Sequence, residues 1–298
     1  MGSIAWKKIL VLTGLTLNLA MLSGCGRLLE IQIGSGSGAE KEKREDDIVG
    51  RYEMTQKDYD TTLSGAKEID LGTLKEGAGD GYTYDDGEVI ISGEGKYLIK
   101  GKMNHGSLRV NAFEDEVIHL LFDNVEIKSD RGAALYVENA AKVILTAMEG
   151  TENILSDGAQ YRETGKACVF SNSDLTVNGN GALAVYGYYS DGVRSRDQIK
   201  IVDTSLYVKT GGDGIRGNDG VIIADSMVEV ECEGTGILSD SEKDMVVVHG
   251  GDCKIIAGKN AIAANRYVSV RESRMDLYSI WEAVKCDGVR ELDEEMLQ

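Results

Sequence analysis

Four aspartates recur in register in two successive stretches of the chain, and their side chains could bind a metal ion. Asp191 and Asp197 in the first stretch match Asp213 and Asp219 in the second, 22 residues later. If the stretches stack, matching carboxylates lie about 5 Å apart and repel one another unless a cation bridges them. Calcium takes oxygen ligands of this kind. The spacing therefore predicts a calcium site at these four residues, although aspartate before glycine is also a favourable turn residue.

Tyrosines and arginines surround these aspartates. Tyr186, Tyr188 and Tyr189 come just before the first aspartate, and their rings could stack on sugar rings or else pack on a turn. Arg194 and Arg216 each follow an aspartate by three residues. We expect the three tyrosines and the two arginines to contact a substrate.

The other potentially reactive side chains carry no predicted site. The repeat register places Cys168, Cys232, Cys253 and Cys286 too far apart for disulfides, so they are expected to be unpaired, buried thiols. No CxxC spacing supports a zinc site. The histidines fall in unrelated places and are expected at the surface or in turns. They are His105, His119 and His249.

These residues lie within a repeat that continues to the end of the chain. Its restarts are 25, 22, 22, 25 and 22 residues apart, and each unit holds three short strand-like runs separated by turn residues. The predicted fold class is all-β, a right-handed parallel β-helix with three short strands per coil of 22–25 residues. The restarts are Ala167, Gly192, Gly214, Gly236, Ala261 and Ala283.

Stacking the units predicts three vertical ladders of apolar residues, which would bury one another from coil to coil. The first ladder is Leu135, Cys168, Val193, Ile215, Ile237, Ile262 and Val284. The second is Val143, Leu175, Ile199, Val221, Met245 and Val268. The third is Leu183, Leu206, Val228, Cys253 and Met275.

The beginning of the chain has the pattern of an export signal. Lys7 and Lys8 precede a short apolar run at residues 9–21, which is too short to span a membrane as a helix. Leu22-Ser23-Gly24-Cys25 resembles a bacterial lipobox, whose cysteine is lipidated. We therefore expect a membrane-anchored lipoprotein outside the cytoplasm, at the cell surface. The predicted divisions are a signal peptide at 1–24, a flexible tether at 25–60 and the β-helix domain at 61–298.

The chain is strongly acidic, with a formal net charge of −18. Two lysines are the only charged residues of the predicted signal peptide, so the remainder carries −20. Nucleic acids require basic patches, and this charge argues against them as partners. It favours cations, or neutral partners that are bound without charge pairing.

Five stretches of the chain also resemble motifs that occur in the same order in a known protein family: Val89–Tyr97, Phe122–Ile127, Gly150–Gly158, Ser173–Leu183 and Asp213–Asp219. They resemble the secreted carbohydrate-binding β-helix proteins of clostridia, over roughly residues 82–288. The resemblance implies a pectate-lyase-like right-handed parallel β-helix that binds calcium and cellulosic and pectic polysaccharides. The family's Asp-Gly-Ile-Arg turn matches 191–197 and 213–219, although Arg196 and Asn218 stand where lysine is usual.

Together these observations favour a lipid-anchored protein outside the cytoplasm that binds plant-type polysaccharide with calcium. One alternative is a calcium-dependent polysaccharide lyase, in which Arg194 or Arg216 would be the catalytic base. Arginine is a poor base because its pKa is so high, and this ranks the lyase second. The other alternative is a surface scaffold or adhesin without a glycan ligand.

Overall fold

The computed structural model describes residues 54–158, 161, 166–242 and 244–293. Within these residues the ordered elements are β-strands apart from one short 3-10 helix, Gln56–Tyr59. The strands are β1 (Lys67–Asp70), β2 (Gly77–Ala78), β3 (Tyr82–Asp85), β4 (Glu88–Ile91), β5 (Gly95–Asn104), β6 (Ser107–Asn111), β7 (Val117–Lys128), β8 (Leu135–Asn139), β9 (Lys142–Ala147), β10 (Glu152–Ser156), β11 (Ala167–Ser171), β12 (Asp174–Asn178), β13 (Ala182–Gly187), β14 (Asp191–Ser195), β15 (Gln198–Val202), β16 (Ser205–Thr210), β17 (Ile215–Gly217), β18 (Gly220–Cys232), β19 (Ile237–Ser239), β20 (Met245–Ala257), β21 (Ile262–Ala264), β22 (Tyr267–Arg271), β23 (Arg274–Ser279), β24 (Val284–Cys286) and β25 (Val289–Leu292).

Successive coils of the chain stack into a solenoid with three faces. Face 1 is an eleven-stranded sheet in the order β2-β3-β4-β6-β8-β11-β14-β17-β19-β21-β24. The second sheet bends into two further faces. Face 2 contains β9, β12, β15 and β22, face 3 contains β10, β13, β16 and β23, and the long strands β5, β7, β18 and β20 cross between them.

Nearly all of the strand pairing is parallel. Among the described residues, only the pairs β2–β3 and β3–β4, near the beginning of the solenoid, are antiparallel. The parallel β-helix predicted from the sequence is therefore confirmed, and its first coil is preceded by a short antiparallel hairpin.

The corner between faces 2 and 3 is made by residues with left-handed backbone conformations. Asn124 has a φ of 56°, Asp203 of 48° and Asp225 of 47°. Asparagine and aspartate tolerate this conformation better than most residues that carry a Cβ. These positions explain how one continuous sheet can turn from face 2 into face 3.

The third predicted ladder has the expected register. Its residues pair directly from coil to coil: Leu183, Leu206, Val228, Cys253 and Met275. Ile215 of the first ladder is fully buried between Val193 and Ile237, as predicted. These inward rungs form a continuous core along the solenoid.

Two rungs of the other ladders were predicted one residue out of register. Val169, not Cys168, pairs with Leu135 and Val193. Likewise Val246, not Met245, pairs with Val221 and Val268. Both errors follow turns of irregular length, where counting along the sequence cannot place the extra residues. A shift of one residue changes which side chain forms the inward rung, although Cys168 is also fully buried and belongs to the core cluster.

The segment before β1 is attached to face 2, and we call residues 54–60 the N-terminal strap. Asp58 is fully buried, and its carboxylate accepts hydrogen bonds from the ammonium groups of Lys142 and Lys200 and the hydroxyl of Thr176. The Asn178 amide donates to the Asp58 carbonyl oxygen at 2.8 Å. Burial opposes ionisation of Asp58, but hydrogen bonds from Lys142, the Thr55 backbone N–H and Thr176 outweigh it and hold the pKa of this carboxyl below its usual range.

This attachment changes the predicted domain boundary. Residues 54–60 were assigned to the flexible tether, yet they contact the solenoid through the Asp58 carboxylate. The folded part of the chain therefore begins earlier than position 61. The predicted signal peptide, Cys25 and the rest of the tether lie outside the described residues.

Two minor expectations have opposite outcomes. All four cysteines of the described region are free, as predicted. His119, however, is only 4 % exposed, and its Nε2 lies 2.6 Å from the Thr146 hydroxyl. Burial, and then the charge of Lys96, lower the pKa of His119 to about 4. The expected surface position of His119 was therefore wrong.

No helix of the described residues is long and apolar enough to cross a bilayer.

Candidate functional site

The turns that lead from face 3 into face 1 hold four of the predicted site residues: Tyr188, Tyr189, Asp191 and Asp213. We call these turns the 3/1 corner. They are residues 187–191, 210–213, 232–236, 257–261 and 279–283. The turns stack because the backbone amide of each coil bonds to the coil before it, as Gly212 does to the Ser190 carbonyl at 2.8 Å.

Two of the predicted tyrosines form an exposed aromatic surface beside this corner. Leu183 and Val185 of β13 point into the core, so alternation along the strand places Tyr186 on the outer surface. The Tyr186 and Tyr188 rings are nearly parallel, with centroids 6.4 Å apart and an interplanar angle of 13°. Tyr207 of the next coil meets Tyr186 edge-on at 5.9 Å. Tyr188 is 70 % exposed, which leaves its ring available to a ligand.

Tyr189 is less available than its neighbour. Its ring lies 4.6 Å from that of Tyr161, and the Lys166 ammonium lies 5.8 Å from its centroid. Sequence reasoning missed Tyr161 because it lies in a long segment between β10 and β11 that has no repeat register. Tyr189 is therefore one part of an aromatic pair and not an isolated stacking residue.

Asp157 forms hydrogen bonds with Tyr188 and Tyr161, and it was not singled out from the sequence. Its carboxylate accepts the backbone N–H of Tyr188 at 2.6 Å and the hydroxyl of Tyr161 at 2.7 Å. Asp157 is only 4 % exposed, and this burial raises its pKa, although the two hydrogen bonds oppose the shift. The one signal in the sequence was its place before Gly158 in a stretch that carried the family resemblance.

Asp191 and Asp213 act first as links between coils. The Asp191 carboxylate accepts the backbone N–H of Asp213 at 3.0 Å, and the Asp213 carboxylate accepts that of Thr235 at 2.8 Å. Their second oxygens each lie 3.4 Å from a guanidinium, that of Arg194 and that of Arg216. Burial, followed by the charge of Asp213, raises the pKa of Asp191. The oxygens of both carboxylates are thus largely occupied.

The structure separates the four predicted metal ligands into two pairs. Asp197 and Asp219 lie beyond the other end of the face-1 strands, between faces 1 and 2. Strand β14 separates Asp191 from Asp197, and its four residue steps alone span about 13 Å. One ion cannot contact both pairs, so the four aspartates predicted as calcium ligands form two separate candidate positions.

The Asp197 pair is the better match to a cation. Burial, followed by the charges of Asp174 and Asp219, raises the pKa of Asp197. Within the described part of the chain its carboxylate has no ion-pair partner. At the 3/1 corner, by contrast, the unsatisfied buried atoms are the Nε donors of Arg194 and Arg216, which require an acceptor and not a cation.

A calcium ion beside Asp197 would need further ligands. In the regions that the structure describes, no three His, Cys, Asp or Glu side chains are grouped closely enough to hold a metal. Calcium also accepts backbone carbonyl oxygens and water as ligands, so a calcium site can form with fewer than three acidic side chains.

The arginines are poorly suited to take a proton. Arg194 pairs with Asp191, and Arg216 pairs with both Asp213 and Asp240. Adjacent carboxylates stabilise the charged guanidinium, and arginine does not lose its proton readily in proteins. The two residues can donate hydrogen bonds to a ligand, but the geometry gives neither the surroundings of a general base.

The sequence profile of the family described as "Carbohydrate-binding domain-containing protein" matches residues 85–289. The chain belongs to this family. A curated relative with the same description, from Acetivibrio thermocellus, is 36% identical over 228 residues, which cover 73% of this chain and 80% of the relative. The matched region contains the solenoid coils and all of the predicted site residues except the lipidation cysteine.

A solved structure supports the assignment. The polysaccharide lyase-like protein from C. thermocellum, studied as a gadolinium derivative, superposes with a TM-score of 0.71 at 27% identity. The alignment covers 76% of this chain and 96% of that protein. The family membership and the β-helix implied by the sequence resemblance are therefore both confirmed.

Proposed function

We propose that this protein binds plant-type polysaccharide, cellulosic or pectic, at the 3/1 corner without cleaving it. The observation that carries the proposal is the exposed ring of Tyr188, held parallel to Tyr186 on a chain of the carbohydrate-binding family. Aromatic faces of this kind contact the apolar faces of pyranose rings, and the tyrosine hydroxyl can hydrogen-bond sugar hydroxyls. Asp157 fixes the backbone of Tyr188, so the ring is presented with little loss of entropy.

Retention on immobilised polygalacturonate and on cellulose tests this proposal. Tyr188→Ala should weaken retention by about tenfold, since an exposed aromatic anchor often contributes more than 1 kcal/mol to binding. Phe113→Ala is the matched control, because Phe113 is 71 % exposed but lies in the turn between β6 and β7. Equal retention of the two variants would count against the 3/1 corner as the glycan site.

Calcium is the second part of the proposal. Asp197 and Asp219 would bind the ion together with backbone carbonyls and water, and the ion would offset the mutual repulsion of the carboxylates of Asp174, Asp197 and Asp219. Calcium would then support glycan binding by stabilising the coils and not by touching the sugar beside Tyr188. A glycan array run with calcium and with EGTA measures this dependence.

The third part concerns location. The lipobox-like Leu22-Ser23-Gly24-Cys25 supports a lipid anchor on Cys25, which would hold the protein outside the cytoplasm at the membrane surface. The strap ties the folded domain to the chain that follows this cysteine.

A polysaccharide lyase is the second candidate, since the solved neighbour is described as polysaccharide lyase-like. Its test is the ultraviolet absorbance of the unsaturated product when purified protein is incubated with polygalacturonate and calcium. We expect no sustained increase. An increase that Arg216→Ala abolishes would make the protein an enzyme, and a protein that binds no glycan on the array would instead be a scaffold or adhesin.

A further inference from the structure

A second exposed aromatic cluster lies near the other end of the same corner. Tyr278 is 59 % exposed, Ile280 is 77 % exposed and Trp281 is 64 % exposed. We call these three residues the upper cluster. Exposure of three large apolar side chains in four consecutive positions is unusual on a soluble surface and marks a site of contact.

The upper cluster repeats the positions of the tyrosine cluster. Strand pairing places Tyr278 in the same outward column as Tyr186, through three intervening coils. Ile280 follows Tyr278 by two residues, as Tyr188 follows Tyr186. The Trp281 amide belongs to the turn column that begins at Ser190, beside Tyr189.

Each cluster also carries a lysine supplied by the coil before it. The Lys166 ammonium lies 5.8 Å from the Tyr189 ring, and the Lys259 ammonium lies 6.0 Å from the Trp281 ring. Both ends of the corner therefore combine an aromatic face with a positive charge. This pair of groups suits a pyranose that carries a carboxylate.

The turns between the two clusters contain several glycines, together with the exposed Glu233. A Cβ at Gly212 would come within 2.5 Å of the Ser190 backbone, and a Cβ at Gly234 within 2.4 Å of the Asp213 carboxylate. Close approach of the coils therefore requires glycine at both positions. At Gly211, in contrast, a Cβ would meet nothing within 4 Å. Contact between coils does not explain this glycine, and the space above it is open.

The separation of the clusters matches a short stretch of an extended polysaccharide. Four coil steps separate Tyr186 from Tyr278, which at the spacing of neighbouring strands is about 19 Å. One coil step is close to the advance of one pyranose unit along an extended chain. A polysaccharide lying along the corner could therefore contact an aromatic face at each end and the turns that contain Gly211, Gly212 and Gly234 between them.

We propose that the 3/1 corner is one binding track for an extended uronate-containing chain, with Trp281 as its second stacking residue. This inference rests on the proposed glycan-binding function and adds the direction and length of the bound chain. The ligand lies along the solenoid axis, and oligomers long enough to reach both clusters gain affinity because the second contact forms within one complex.

Calorimetric titration with oligogalacturonides of increasing length tests the track. Wild-type affinity should rise until the oligomer spans both clusters and then level off. Trp281→Ala should remove at least about tenfold of the affinity that long oligomers gain over disaccharides. Phe113→Ala, the exposed aromatic control away from the corner, should behave as wild type at every length.

Gly211→Leu provides a second, independent variant. The Cβ of the new side chain meets nothing within 4 Å, so the melting temperature should change little, while the rest of the side chain would occupy the open space above this turn. Long oligomers should bind at least about tenfold more weakly to this variant, with a smaller loss for disaccharides, which can bind at either cluster alone.

The outcomes separate the track from the function on which it rests. If Tyr188→Ala weakens all oligomers while Trp281→Ala and Gly211→Leu bind like wild type, the site is local and the track is wrong. If wild-type protein binds no oligomer, the proposed function fails first. If Trp281→Ala changes only the sedimentation behaviour, the upper cluster is a contact between copies of the chain, which also overturns the track.

Discussion

At the scale of single residues, Asp58 makes the most consequential contact outside the core. Its buried carboxylate is satisfied by Lys142, Lys200 and Thr176. Asp58→Asn leaves the two lysines without their counter-ion, so it should destabilise the strap and the fold by about 3 kcal/mol. Urea unfolding measures the loss. Asp60→Asn is the matched control on the same strap, because its ion pair with Lys96 is partly exposed and should contribute less than about 1 kcal/mol.

The pH dependence of this contact has a definite sign. The folded pKa of Asp58 lies below its ordinary value, so its stabilisation is complete above the unfolded pKa of about 3.9. The stabilisation is lost as pH falls further. The difference in urea midpoint between wild type and Asp58→Asn should therefore shrink below about pH 4. A constant difference down to pH 3 would show that the carboxylate charge is not the source.

Asp197 should respond in the opposite direction. Burial and the charges of Asp174 and Asp219 raise its folded pKa, so its charge costs stability at neutral pH and the cost disappears as pH falls. In EGTA, Asp197→Asn should raise the melting temperature by about 2 °C at pH 7. Calcium should raise the melting temperature of wild type by mass action but not that of the variant. Equal calcium shifts in both proteins would contradict a site at Asp197.

At the scale of the elements, side-chain oxygens in the 3/1 corner connect several pairs of neighbouring coils. The Asp213 carboxylate accepts the Thr235 amide, and two coils later the Asn260 amide oxygen accepts the Glu282 amide in the same way. Asp213→Ala should therefore destabilise the fold by about 1–2 kcal/mol, with or without calcium. Asp213→Asn should retain most of this stability, because asparagine already performs the task at position 260. Thermal unfolding of the two variants in EGTA decides the matter, and a neutral alanine variant would show that the link is dispensable.

Much of this architecture could be predicted from the sequence because the repeat is visible in it. The Leu183 ladder has the predicted register although its steps vary from 22 to 25 residues, because alternating apolar residues mark the inward positions of each strand. The Cys168 and Met245 rungs were one residue out, because no periodicity locates the extra residues of an irregular turn. The contacts of individual side chains were harder to predict than the register of the strands. Nothing in the sequence indicated that Asp58, in an apparent tether, would contact Lys200, 142 residues away.

The candidate site shows the same limit. The register of Asp191 with Asp213 was readable, but their engagement by backbone amides of the next coil was not. Tyr161 was missed because its segment has no equivalent in other coils. Sequence spacing thus located the corner, while the hydrogen bonds of the Asp191 and Asp213 carboxylates showed that these two aspartates link neighbouring coils.

At the scale of the whole molecule, the strap and the track lie on different parts of the solenoid. The strap is attached to face 2, whereas the exposed tyrosines lie where face 3 meets face 1. Stacked coils bury their apolar rungs only on their neighbours, so each face is a rigid surface of fixed orientation. Residues 54–60 therefore do not cover the 3/1 corner.

Lipidation of Cys25 would attach the protein to a membrane through the part of the chain that precedes the strap. The 29 residue steps from Cys25 to Met54 can reach at most about 100 Å, enough to hold the solenoid near a membrane while its glycan site stays accessible. Cys25→Ala should be released from the membrane fraction or remain unprocessed, and mass spectrometry of the N-terminal peptide should find no lipid. Its retention on polygalacturonate should equal that of wild type, since face 2 carries the attachment and the tyrosines do not. A Cys25→Ala protein that fractionates with membranes as wild type does would show that the anchor lies elsewhere. Lost retention in a folded variant would show that the segment around Cys25 contributes to the glycan site.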